Sequence, residues 1–329
     1  MPLKCVYLGL GSNIGDRLLY LKKTVLLLEK SSSIVVTHAS KIYENRAIGI
    51  SDGKDFLNAV LEIYTNLSPL ELLDFTKGIE HSMGRTRSIC WENRTIDIDI
   101  LYYEGVYLDS KTLKIPHLNL FKRDFVLKPL CELNPELCIN DKSVREALCL
   151  INCDDLNSTN HSIWPLAQVN QIVAFSQNQV IGIDGKLPWN IEEDWKLFLS
   201  KTRDGVLIMG RLSFQEMIKE RKWSENRTYI VITSNKDIVR EGFVKYASSV
   251  EEALKIAKAL NKTIWICGGS SIYKETFDTS EMLHLTRIEA LYEGDVFYPN
   301  FCSAFNSKVA SVYSNQNDLK YAYELWKKE

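Results

Sequence analysis

A chain of 329 residues with 45% hydrophobic and 25% charged residues has room for two ordinary globular domains, each with its own core. A net charge of -2 supplies no basic field of the kind that nucleic acid or an anionic membrane demands, so neither is an expected partner. Eight cysteines without a C-x-x-C pair point to reduced thiols in a cytoplasmic protein rather than to a disulfide scaffold or a zinc centre.

The start, MPLKCVYLGLGSN, lacks the basic-then-apolar pattern of a signal peptide, and CVYLGLGSN reads as a strand. A helix from Asp16 to about Lys30 follows, with Leu18, Leu21, Val25 and Leu28 on one face. Lys22 and Lys23 interrupt this stretch, which is too short to cross a bilayer. Next come a strand near SIVVTHASKIYE, another in FLNAVLEIYT, and a helix in SPLELLDFTKGIEHSM opened by Ser68 and Pro69. The strand in WENRTIDIDIL, a hairpin-like YYEGVYL and the segment IPHLNLFKRDFVLKPL complete a βαββαβ order. That order is the pattern of a ferredoxin-like α+β domain, here over residues 1–152. Residues 153–167, dense in Asn, Asp, Ser and Thr and without periodicity, read as a linker. Over residues 168–329, strands in QIVAFS, VLIMG, TYIVITS, TIWICGG and MLHLTRI alternate with helices, as in an α/β sheet.

Asp97 and Asp99 interrupt the first half's pattern. Ile96, Ile98 and Ile100 alternate toward a core, which leaves the two acids together on the opposite side of the strand. Like charges that close raise each other's pKa unless a cation intervenes. Arg85, Arg87, Arg94, Lys122, Arg123 and His117 supply a dense basic set around them. Two Mg²⁺ ions held by the acids, bridging triphosphate oxygens that the arginines neutralise, would satisfy this set. So would an exposed strand whose acids are salt-bridged to Arg85 or Arg94, and spacing alone does not choose. Asn58, likewise, either ends a strand or offers a donor and an acceptor to a heterocycle edge. LGLGSNIGD has G-x-G-x-x-x-G spacing rather than a dinucleotide fingerprint. It reads as a strand-to-helix turn whose small residues admit a substrate to the backbone.

LGSNIGD, then GRTRSICWENRTIDIDIL, then IPH followed by RDFVLKPL, resemble the 6-hydroxymethyl-7,8-dihydropterin pyrophosphokinase family in order across the first half. The resemblance implies ATP-dependent pyrophosphoryl transfer to a reduced pterin, with two Mg²⁺ on Asp97 and Asp99 and with Arg85 and Arg94 at the chemistry. It implies ATP contacts from Glu80, Trp91, His117 and Arg123. The pterin would be held by Asn45, Ile48, Phe56, Asn58 and Phe125, its faces sandwiched by the aromatic rings. Two features depart from the family. A Thr and a Pro usually follow the strand tyrosine, where this chain has Tyr43-Glu44-Asn45-Arg46-Ala47-Ile48-Gly49, and the loop from Arg85 to Trp91 is one residue shorter.

In the second half, LPWNIEEDWKLFL sets Asp194 among Ile191, Leu197 and Phe198 on one helix face, while Glu192 and Glu193 point elsewhere. A carboxylate on the core side is paired, protonated or functional; interaction with the helix macrodipole is the plain alternative. Gly210-Arg211-Leu212-Ser213 and Gly268-Gly269-Ser270-Ser271-Ile272-Tyr273 are two strand-glycine-helix turns of the kind that offer backbone donors to anions.

With IVAFSQNQVIGIDGKLPWN, RTYIVITS, LHLTRIE and EGDVFYP, from about Gln171 to Pro299, these motifs resemble dihydrofolate reductase. The resemblance implies an α/β domain with a mixed central sheet and NADPH-dependent reduction of dihydrofolate to tetrahydrofolate. Asp194 would support protonation beside the hydride-accepting carbon, with burial raising its pKa, and Thr286 would join it on the pteridine. Ile172, Ala174, Trp189 and Phe198 would line the pocket, and Arg227 would take the tail carboxylate as a fork. Residues 182–189 would form a lid with Leu187 over the nicotinamide. Around NADPH would stand Ile181, Gly210, Ser213, Gly268, Gly269, Ser270, Ser271, Ile272 and Tyr273, with Arg211, Thr233 and Ser234 at the 2′-phosphate and a cis Gly268–Gly269 peptide. KWSENR departs from the family in lacking the proline that usually precedes the arginine.

Both resemblances together imply a bifunctional folate enzyme acting on small pterin and folate substrates. Its two steps are not consecutive, so the fusion is expected to serve co-expression or association with other folate-pathway enzymes. The alternative is a working reductase with a catalytically inactive first half, to which the Asn45-Arg46-Ala47 loop points.

Overall fold

The computed structural model describes residues 2–46, 54–85, 94–151, 153, 155–159, 163, 169–219, 224, 226–234, 243–260 and 262–328. The chain forms two compact units, Leu3–Pro165 and Leu166–Glu329.

The first unit runs β1 (Lys4–Ser12), α1 (Arg17–Glu29), β2 (Ile34–Ala39), β3 (Tyr43–Asn45), β4 (Phe56–Thr65), α2 (Pro69–Ser82) and β5 (Asp97–Tyr103). A short hairpin β6 (Leu108–Asp109) and β7 (Lys114–Ile115), α3 (Asp124–Leu133), a second hairpin β8 (Cys138–Ile139) and β9 (Lys142–Ser143), α4 (Val144–Cys149) and β10 (Asn157–Ser158) follow. The helices begin where local chemistry starts them. Asp16 caps α1 by accepting from the Leu19 N–H at 3.0 Å. Ser68 and Glu71 form a reciprocal capping box at α2, with Pro69 in the first turn.

The antiparallel sheet has the order β10-β3-β4-β1-β5, with β2 also beside β4. Central β1 shows why it is buried on both faces. Val6, Leu8 and Leu10 pack with Leu21, Val25 and Leu28 of α1 and Leu72 and Ile79 of α2. On the other face Tyr7 packs with Val126, Leu127 and Leu130 of α3. Truncating a wholly buried leucine such as Leu8 to alanine costs roughly 2–5 kcal/mol. Beyond Tyr7, β1 continues as Gly9 and Gly11 on the α3 face.

Three expectations are corrected here. SIVVTHASKIYE is two strands, β2 and β3, because the chain breaks at residues 40–42. YYEGVYL is not a hairpin: β5 ends at Tyr103, and the paired strands are β6 and β7, with Leu108 opposite Ile115. Within residues 153–167, Asn157 and Ser158 pair with Glu44 and Tyr43, and Ile163 is buried in the first unit's core. Asn157, Ser158 and Ile163 are thus part of the first unit rather than spacer.

The second unit runs β11 (Val169–Ser176), β12 (Val180–Gly182), α5 (Glu192–Lys201), β13 (Val206–Gly210), α6 (Arg211–Lys219), β14 (Thr228–Ile232), β15 (Val244–Ala247) and α7 (Val250–Lys258). It ends with β16 (Ile264–Ile266), α8 (Ser270–Glu275), β17 (Met282–Ile288), β18 (Val296–Phe297), β19 (Ser307–Gln316) and β20 (Leu319–Lys327). The mixed sheet has the order β15-β14-β13-β16-β11-β17-β20-β19. Its first six strands are parallel, and β20 and β19 join antiparallel at one edge. Parallel strands covered on both faces are near-continuous apolar runs, and Val206, Leu207, Ile208 and Met209 are all buried. No helix of the described residues is long and apolar enough to cross a membrane.

Candidate functional sites

The register of the first sheet assembles one site. Gly11 on β1 stands between Asn58 on β4 and Asp97 on β5, and Gly9 stands opposite Asp99. All lie on the face that α3 covers only in part. A Cβ at Gly11 would meet Asn58 Oδ1 at 3.2 Å, Phe56 Cδ1 at 3.7 Å and Asp97 Cβ at 4.0 Å. The missing side chain therefore opens a cradle between an amide, an aromatic ring and an acid. A cavity of about 340 Å³ beside it is lined by Glu80, Arg85, Asp97, Asp99 and His117.

Asp97 is flanked by two cations: Arg85 Nη1 donates to Oδ1 at 2.7 Å, and Arg94 Nη1 donates to Oδ2. The same Arg85 nitrogen reaches Glu80, whose Oε1 also accepts the edge-strand N–H of Ile98 at 2.7 Å. Salt bridges from Asp97 to Arg85 and Arg94 are thus present, but inside a cavity rather than on an open strand. Among the described residues no hydrogen bond reaches the Asp99 carboxyl. Burial first, and Asp97 second, push its pKa up, against the opposing pull of Arg123. Burial raises Glu80 to about 6 despite the Ile98 and Arg85 contacts. His117 is lowered by burial and by Arg123, so its ring is neutral at neutral pH. Its Nδ1 accepts the Asn119 N–H at 3.3 Å.

Two hard oxygen donors on one face, one of them without a hydrogen-bond partner among the described residues, suit Mg²⁺, which keeps water and substrate oxygens in its remaining positions. No group of three or more metal-binding side chains occurs among the described residues. Arg123 lies over the Phe125 ring at 5.6 Å at the start of α3. Asn58 donates to Asn45 Oδ1 at 2.5 Å. Ile48, Trp91 and Arg87 lie outside the described residues. Sequence reasoning missed Asn13, which accepts the Arg94 N–H at 2.7 Å and so ties the LGLGSN turn to that arginine. It also missed Lys77 and Lys111 at the cavity wall.

The second unit holds a cavity of about 530 Å³. Asp194, on the first turn of α5, accepts from Thr286 Oγ1 of β17 at 2.5 Å. Burial raises its pKa to about 6, and the Thr286 bond opposes that shift. Ile172, Ala174 and Phe198 line the same cavity, as do Ile181, Leu187, Ser213, Gly268, Gly269, Ser270, Ser271 and Tyr273. The Gly268–Gly269 peptide is cis, as the resemblance implied. Tyr273 is anchored by donating to the Ile172 carbonyl at 2.8 Å.

Several expected residues stand apart from that lining. Trp189 is buried, packing with Ile191, Ile288 and Tyr321 and edge-on to Tyr292. Arg227 is buried, with Nε on Thr202 Oγ1 at 3.0 Å and Nη2 on the Leu199 carbonyl at 2.5 Å, so part of its fork is already spent on α5. The Ile272 side chain packs into the core, leaving only its backbone to face a ligand. Gly210 is tied by its N–H to the Gly268 carbonyl at 2.8 Å. Arg211 is turned to Gln215 at 2.9 Å, while Thr233 donates its N–H to Ala247 and Ser234 is exposed. Residues that sequence reasoning did not identify complete the wall: Met209, Leu212, Glu216, Met217, Cys267 and Tyr323. Met209, Leu212 and Cys267, within or beside the two strand-glycine-helix turns, carried a local signal.

Residues 7–135 match the family model described as 7,8-dihydro-6-hydroxymethylpterin-pyrophosphokinase, and residues 168–328 match the one described as dihydrofolate reductase. Over 127 residues the chain is 45% identical to the 2-amino-4-hydroxy-6-hydroxymethyldihydropteridine pyrophosphokinase of Bacillus subtilis (strain 168), covering 39% of this chain and 76% of that protein. Over 150 residues it is 41% identical to the bifunctional protein FolKE of Lactococcus lactis subsp. cremoris (strain MG1363), covering 46% of this chain but only 43% of that protein. Among solved structures, dihydrofolate reductase from Enterococcus faecalis complexed with NADP(H) and RAB-propyl is 35% identical in sequence. The match covers 49% of this chain and 96% of that one, with a TM-score of 0.45.

Proposed function

The chain belongs to the 7,8-dihydro-6-hydroxymethylpterin-pyrophosphokinase family through its first half and carries a dihydrofolate reductase domain in its second, and on that premise we propose that it catalyses two reactions of folate metabolism. The first unit transfers pyrophosphate from ATP to 6-hydroxymethyl-7,8-dihydropterin. The second reduces 7,8-dihydrofolate to tetrahydrofolate with NADPH.

In the first reaction the pterin hydroxyl oxygen attacks the β-phosphorus of ATP, the bridging bond to the α-phosphate breaks, and AMP leaves. Asn58 and the rings of Phe56 and Phe125 hold the pterin beside Gly11, which directs its hydroxymethyl group toward Asp97. Asp97 and Asp99 would hold Mg²⁺, which when bound would supply positive charge to the phosphate oxygens. Arg85 and Arg94 now share Asp97 and move part of their charge onto the transferring group, while Arg123 and neutral His117 sit on the nucleotide side. Ile48 and Trp91 complete the pterin and ATP contacts by resemblance.

In the second reaction Asp194 and Thr286 grip the aminopyrimidine edge of the pteridine. With a pKa of about 6, Asp194 holds a proton in a useful fraction of molecules near neutrality, next to the ring nitrogen that must gain one. Ile172, Ala174 and Phe198 exclude water around the reacting carbon. The residues at Gly268–Ser271 and Ser213 lie along the cofactor's path, with Leu187 as the cover. NADPH held there would supply the hydride. Arg211, Thr233 and Ser234 would meet the 2′-phosphate outside the described cavity, and Arg227 and Trp189 act on the tail and the pteridine.

The observation that carries the reading is the cross-strand row Asn58–Gly11–Asp97, which sets a heterocycle-reading amide and a phosphate-side carboxylate on either side of one glycine. The acids and arginines around it favour an active first unit over an inert module. Reduced thiols and small soluble substrates fit a cytoplasmic setting, and enzymes working between the two steps are the natural partners. The test is direct. The purified chain should release AMP from ATP and the hydroxymethyl pterin, and oxidise NADPH with dihydrofolate. Absence of AMP from a folded chain would leave only the reductase.

A further inference from the structure

Asn45 was expected to touch the pterin itself, yet both atoms of its side-chain amide are hydrogen-bonded within the protein. It is buried on β3, diagonal to Asn58 across the β3–β4 pair, in which Asn45 faces Phe56 and Tyr43 faces Asn58. Its Nδ2 donates to the Arg46 backbone carbonyl at 2.9 Å, and its Oδ1 accepts from Asn58 Nδ2 at 2.5 Å.

The first link of this chain leaves no freedom. A backbone carbonyl only accepts, so the Asn45 amide nitrogen faces Arg46 and its oxygen faces Asn58. Two amide oxygens cannot hydrogen-bond each other, so Asn58 turns a nitrogen toward Asn45. Its own oxygen is left on the cradle side, 3.2 Å from where a Gly11 Cβ would stand. An isolated asparagine has two flips of similar energy, and one fixed carbonyl removes one of them through Asn45.

We propose that Asn45 is a positioning residue that fixes the flip of Asn58, so that the cradle beside Gly11 presents a hydrogen-bond acceptor and selects a ring edge bearing N–H donors. The 2-amino and N3–H groups of a pterin are such an edge. This rests on the pyrophosphokinase reading of the first unit. It assigns to Asn45 a part in specificity that is exerted through Asn58 rather than on the substrate.

The test uses the full chain with ATP, Mg²⁺ and 6-hydroxymethyl-7,8-dihydropterin, and two variants. Asn45→Leu removes the acceptor at similar size; Asn45→Asp keeps an acceptor toward Asn58. The expected result is a KM for the pterin raised about tenfold in Asn45→Leu with a much smaller fall in kcat, and a KM within about threefold of the parent in Asn45→Asp. In ¹⁵N-asparagine-labelled protein, the Asn58 side-chain amide protons should exchange slowly in the parent and in Asn45→Asp, and fast in Asn45→Leu. Equal effects of the two variants on KM, or an unchanged KM in Asn45→Leu, would overturn the inference while leaving the function standing. Should Asn45→Leu not fold, fast Asn58 exchange in the parent overturns it and slow exchange supports it. A parent that makes no AMP overturns both.

Discussion

Asp194 is an acid governed by burial: among the described residues nothing positive is paired with it, and the Thr286 hydroxyl only partly offsets the loss of water. Its carboxyl sits at about 6 in the folded chain, against about 3.9 when unfolded. A raised folded pKa means that protonation favours the native state. The stabilisation is complete below the unfolded value and is lost as pH rises through about 6. Asp194→Asn should therefore be more stable than the parent at pH 8, by an amount approaching roughly 3 kcal/mol, and should lose most reductase turnover. Urea unfolding at several pH values checks this; a stability gap that does not widen between pH 4 and 7 would sink it. The parent's reductase kcat/KM should decline as pH rises above about 6. Gly11→Ala is the corresponding probe in the first unit. A methyl group 3.2 Å from Asn58 Oδ1 enters the cradle, so the pterin KM should rise by about an order of magnitude, read by AMP release. Asp194 was visible in the sequence because its apolar neighbours lie within one helical turn. Tyr323 was not, since it reaches the same cavity from a strand more than a hundred residues away.

At the level of elements, legibility follows how local each signal is. The α2 capping box lies within four residues, Ser68 to Glu71, and was readable as a helix start. The β19–β20 hairpin was missed although Asn317 and Asp318, with φ of 51° and 64°, make the kind of turn that hairpins favour. Its strands carry mixed polar residues because they close the sheet edge. The segment 182–189 was read as a lid, and its backbone shows what holds it. Ile183 and Lys186 exchange hydrogen bonds around a turn with positive φ at Asp184 and Gly185. The Asp184 N–H donates to Asp295 Oδ2 at 3.3 Å, and the Leu187 N–H to Glu216 Oε1 at 3.0 Å. Glu216 comes from α6, so its bond spans the mouth of the cavity. Glu216→Ala should speed NADPH dissociation severalfold in stopped-flow fluorescence, while Glu216→Gln, which keeps an acceptor, should remain near the parent. Equal rates in all three would mean that this bond does not govern closure.

For the whole molecule, each unit carries its own core and its own acids. Asp97→Asn should abolish AMP formation and leave NADPH oxidation within about twofold of the parent, measured on one preparation; a parallel fall in both rates would contradict independent sites. Motif order, most of the strands and helices and the candidate acids were legible in the sequence, because each depends on a handful of neighbouring residues. What the sequence could not supply is which carboxyl is held by arginine hydrogen bonds and which has none among the described residues. Nor could it show that Arg227 spends part of its fork on α5, or that Asn45 turns Asn58. Those outcomes depend on cross-strand register and on how much water packing removes, and both arise only when residues distant along the chain are brought together.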